Sequence, residues 1–125
     1  MSGPRPGDEV LDLVCDLGAI TGEGAAEHRR ALSAWSARVS RTTELVDGFA
    51  FELPVNALED VARFIGFERR CCAFLTFSVT VSPGERLEFA MIGPPGAKEV
   101  LLAAAPQLAQ LPGAGAGAQD RGRED

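Results

Sequence analysis

Leu75-Thr76-Phe77-Ser78-Val79-Thr80-Val81-Ser82-Pro83-Gly84-Glu85-Arg86-Leu87-Glu88-Phe89-Ala90-Met91 alternates apolar and polar residues on both sides of a short turn segment. Leu75, Phe77, Val79 and Val81 point one way, against Thr76, Ser78 and Thr80. Leu87, Phe89 and Met91 repeat the pattern against Glu88 and Ala90. Period-two patterning marks strands with one face on a core and the other toward water. Pro83-Gly84 supplies turn chemistry, so 74–81 and 87–92 are expected to pair antiparallel as a hairpin.

Working outward, Phe49, Phe51 and Leu53 alternate with Ala50 and Glu52, which predicts a third strand. Asn56 followed by Glu59 resembles a capping box, so a helix is expected from there to about Arg70 or Cys72. Upstream, Thr21 is the expected N-cap of a helix over about 22–39, whose Leu32, Trp35 and Val39 share one face. Downstream, Gly93-Pro94-Pro95-Gly96 reads as a loop and 97–105 as a helix that Pro106 stops or kinks. The expected fold is α+β: a small antiparallel sheet of about three strands with helices packed on one face. One domain is expected over 9–111. The short apolar piece 9–16 is read as a helical turn or a docked extended segment. The Gly/Pro-rich 1–8 and the Gly-Ala and mixed-charge 112–125 are read as disordered ends.

Composition narrows the function. Eighteen acids against twelve bases give net −6, and no basic cluster stands out, which argues against nucleic-acid binding by counterion release. The longest uncharged stretch, 100–119, is broken by prolines, glutamines and glycines, so no membrane span is expected. The first residues show no charged start leading into an apolar stretch, and the expected location is the cytoplasm.

The chemistry is concentrated in three cysteines, Cys15, Cys71 and Cys72. An odd number without an export signal argues against a disulfide framework. On a helical wheel at about 100° per residue, Leu58, Val61, Ala62 and Ile65 share an arc that includes Cys72. Cys71 lies further round, between Phe64 and Phe67, so the two thiols diverge. Glu68 falls between Val61 and Phe64, in apolar territory. It must be paired, near the surface or functional, and an arginine is the expected partner. Thiolates are soft ligands that suit monovalent copper, zinc and mercury. Adjacent cysteines rarely clasp one ion from regular backbone, so either the pair lies at an irregular helix end or a distant ligand joins one of them, and Cys15 is the candidate. His28, the only histidine, lies on the buried-looking stripe of the first helix and is left outside the site as a core or boundary residue.

Phe67-Glu68-Arg69-Arg70-Cys71-Cys72-Ala73-Phe74 resembles a motif, Glu-Arg-x-Cys-Cys-Pro-Phe, of a family of small, largely uncharacterised bacterial proteins. Gly93-Pro94-Pro95-Gly96-Ala97-Lys98 is similar to that family's later motif, as are 15–20 and 47–51. Ala73 stands where the family has Pro. Related segments occur near, or fused to, regulators of the mercury-responsive type. The resemblance therefore implies soft-metal handling, with a regulator protein as a candidate partner.

Together these readings give a cytoplasmic thiol protein that binds a soft metal ion through Cys15, Cys71 and Cys72. A thiol redox enzyme or sensor is the alternative, with one cysteine attacking and Glu68 shuttling protons. A regulator-docking domain with buried, inert cysteines is the third reading. Gly93–Lys98 lacks phosphate-loop spacing, and one histidine without a nucleophile motif makes a Ser/His/Asp triad a poor fit.

Overall fold

The alternation at 75–91 folds as a hairpin whose register puts Phe77 opposite Met91, Val79 opposite Phe89 and Val81 opposite Leu87. The computed structural model describes residues 22–114. In chain order the elements are α1 (Glu23–Ser36), β1 (Arg41–Leu45), β2 (Gly48–Pro54), α2 (Leu58–Cys71), β3 (Thr76–Val81), β4 (Arg86–Ile92) and α3 (Ala97–Ala104). Short 3-10 turns occupy Val55–Ala57 and Pro106–Gln110. The fold is α+β. Its sheet is antiparallel throughout, in the order β1-β2-β4-β3.

The sheet has four strands where the sequence suggested about three, and the extra one is β1. Its register explains why the pattern hid it. Thr42 lies opposite Phe51 and Glu44 opposite Phe49, so polar side chains occupy its core-facing positions. Thr42 is nonetheless buried, and Glu44 accepts a hydrogen bond of 2.9 Å from Lys98 Nζ on α3.

One face of the sheet carries the core. Phe49, Phe51 and Leu53 of β2 pair with Met91, Phe89 and Leu87 of β4, and all six are buried. Trp35 of α1 is fully buried above them, with its ring 4.9 Å from Phe51, 5.1 Å from Phe89 and 5.4 Å from Phe64. Buried aromatic groups of this kind contribute area and edge-on contacts together. Gly48 opens β2 where the chain passes tight against β4: a Cβ there would lie 1.9 Å from the Met91 carbonyl oxygen. Only glycine fits that approach.

Several local expectations shift. The first helix ends at Ser36 rather than near 39, and Thr21 lies outside the described residues. No capping box forms at 56–59. Asn56 Oδ1 instead accepts a hydrogen bond from Arg38, and α2 starts after the 3-10 turn without a side-chain cap. Glu59 and Asp60 in its first turn and Arg69 and Arg70 in its last oppose the helix dipole favourably. The buried stripe of α2 runs Val61, Phe64, Glu68, Cys71, while Leu58 is exposed. It is therefore centred on the sector of Glu68, not on the Leu58–Ile65 arc. Packing also continues past 111, because Ala114 is buried and Gly113 lies against the Thr42 backbone. The readings made for 1–8, 9–16 and 115–125 fall outside the described residues.

Candidate metal centre

Helical spacing builds the centre of the site. Glu68 and Cys71 are three residues apart on α2, so they lie one above the other on its buried stripe. The Cys71 thiol donates to Glu68 Oε1 across 3.7 Å. His28 reaches the same oxygen from α1, with Nε2 at 2.8 Å. Its imidazole stacks on Phe64, centroid to centroid 5.4 Å at 14°, which fixes the ring plane. Phe67 flanks it at 5.9 Å.

The burial is what makes this group unusual. The Glu68 and His28 side chains are 7% and 18% exposed. A carboxylate so covered is strongly disfavoured unless it is paired and hydrogen-bonded. His28 and Cys71 supply those partners. The partner expected from the sequence was an arginine, but the neighbouring Arg69 and Arg70 are exposed. The histidine set aside as a core residue is therefore the group that holds Glu68 in place.

One nitrogen of His28, one oxygen of Glu68 and the sulfur of Cys71 all lie within 4.8 Å of one another. Such a set can hold a metal ion. Metal–sulfur bonds of about 2.3 Å and metal–nitrogen or metal–oxygen bonds of about 2.0–2.2 Å require tetrahedral donor separations of roughly 3.4–3.6 Å. The 3.7 Å between Cys71 Sγ and Glu68 Oε1 already fits. The 2.8 Å between His28 and Glu68 must open by roughly half an ångström as an ion replaces the shared proton. A cavity of about 40 Å³ lies beside the donors, walled by Phe64, Leu101 and Leu108. It has room for a water molecule or an ion.

Cys72 ends the same helix. It caps α2, its N–H donates to the Glu68 carbonyl at 2.7 Å, and its side chain is buried. It lines the same cavity as Cys71. Cys72 is disulfide-bonded, whereas Cys71 keeps a thiol. The two adjacent cysteines thus differ in chemical state: Cys72, expected as a second thiolate ligand, is held in a disulfide, against the reading of the odd cysteine count, and is not in the three-donor group. Cys15, the expected third ligand, lies outside the described residues.

Of the cysteines expected as ligands, Cys71 lies in this group beside Glu68, and His28, left outside the expected site, joins them. The signal was present. Two polar residues on the apolar stripes of two helices each needed a buried partner, and each was the simplest partner for the other. Among the described residues no helix is long and apolar enough to cross a membrane. Comparison of the chain with protein-family models, with curated proteins and with solved structures finds no match.

Proposed function

We propose that this is a metal-binding thiol protein in which Cys71 supplies the thiolate and His28 and Glu68 complete a three-donor set. The observation that carries the reading is the convergence of three different donors, from two helices, within 4.8 Å of one another, with Glu68 and Cys71 buried and His28 partly so. Sulfur, nitrogen and carboxylate oxygen together suit zinc, a borderline-soft ion that accepts all three, with the fourth position left to water or a ligand. The same thiolate admits softer ions, which accords with the soft-metal reading of the sequence.

Each donor also has a supporting structural role. Phe64 holds the imidazole plane, the helix fixes the Glu68–Cys71 offset, and the apolar walls restrict solvent. Outer contacts of this type orient ligands and sharpen affinity.

Native mass spectrometry and competition titration of the full chain with zinc ions test the proposal. One ion per chain is expected. Cys71→Ser, His28→Ala and Glu68→Gln should each weaken binding by tenfold or more. Equal affinity in the wild type and Cys71→Ser would overturn the reading, as would no binding at micromolar zinc.

A further inference from the structure

We infer that Cys72 is a redox-released ligand: reducing its disulfide adds a second thiolate to the His28/Glu68/Cys71 centre and converts it to a site for thiophilic ions. The inference rests on the metal reading of that centre and deepens it by naming what changes the ion preference.

Three observations meet here. Cys72 follows Cys71 directly and is among the residues that line the cavity beside the three donors. Its side chain is buried at 1% exposure, which shelters the sulfur in that setting. Its present state is a disulfide, and a disulfide sulfur is not the thiolate that binds metal strongly. The oxidised chain therefore offers one sulfur donor at the centre, and the reduced chain offers two. Two thiolates with an imidazole and a carboxylate make a four-donor shell rich in sulfur, the composition that selects soft ions over hard ones.

The backbone permits the convergence. Adjacent cysteines diverge on a regular helix, but Cys72 has left it, with φ −124° and ψ 72° at the C-cap position. That departure is the irregular helix end that a vicinal pair needs in order to face one ion. The step balances with a dithiol as reductant. The dithiol gives two electrons to the S–S bond and closes to its own disulfide, while its two protons pass to Cys72 and to the released partner sulfur. Metal binding then displaces the Cys72 proton to solvent.

The test uses the full chain, oxidised and then reduced with a trialkylphosphine, which is itself oxidised to its oxide and is removed before titration. Competition titrations follow with zinc and with mercuric ion. The reduced wild type should bind zinc at least tenfold more tightly than the oxidised form, with a larger gain for mercuric ion. Cys72→Ser should show the weaker affinity with or without reductant. X-ray absorption at the zinc edge should count one sulfur ligand in the oxidised chain and two in the reduced chain, a readout that needs no variant. Zinc binding that depends on Cys71 but is equal in both redox states would overturn this inference and leave the metal reading standing. Tight binding by Cys72→Ser without reductant would overturn it too, assigning the gain to the partner sulfur. Binding in neither state would end the underlying metal reading itself.

Discussion

Glu68 is a carboxylate on the buried stripe of a helix, and His28 and Cys71 share one of its oxygens. Removing one partner of such a group costs more than the bond alone, because the other is left buried without compensation. His28→Ala should therefore destabilise the fold by about 2–4 kcal/mol in urea denaturation. Adding Glu68→Leu should recover part of that loss, since an apolar side chain then replaces the stranded charge. If the two losses simply add, the His28–Glu68 coupling is absent. The wheel placed Glu68 correctly in apolar territory, so its need for a partner was legible. Its partner was not, because His28 lies forty positions away and no local pattern joins them.

At the scale of elements, legibility followed the chemistry of the core-facing positions. The strands 48–54, 76–81 and 86–92 could be read because Phe, Leu, Val and Met face inward and alternate. Strand β1 could not, since Thr42 and Glu44 face inward and imitate a solvated loop. The capping box at 56–59 failed for a related reason: Arg38 takes the Asn56 oxygen that the cap would have used. Thr42 also leaves a trace in the energetics. Its hydroxyl oxygen is buried with no hydrogen-bond partner among the described residues. An unsatisfied buried hydroxyl costs about 1–3 kcal/mol, and valine has nearly the same shape and a high strand propensity. Thr42→Val should therefore stabilise the protein by about 1 kcal/mol, seen as a higher urea midpoint at unchanged m-value. A loss of stability would mean that the hydroxyl has a bonding role.

Across the whole molecule the candidate centre is a clasp between two helices. His28 comes from α1, while Glu68 and Cys71 come from α2, and both helices cover the same face of the sheet. An ion held by all three donors binds only when α1 and α2 are docked, so its binding free energy adds to the stability of the folded chain. At a free zinc concentration of one hundred times the dissociation constant, that contribution is about 2.7 kcal/mol. For a domain of this size, each kcal/mol moves the melting temperature by roughly 4–8 °C. Zinc should therefore raise Tm by about 10–20 °C, less whatever the unfolded chain recovers by binding the ion through its exposed thiol and imidazole. The size of the shift separates a site that bridges the helices from one confined to α2. Cys71→Ser should abolish most of it, and so should His28→Ala, whose side chain lies on the other helix. A zinc-induced rise that survives His28→Ala intact would place the ion on α2 alone and remove the clasp.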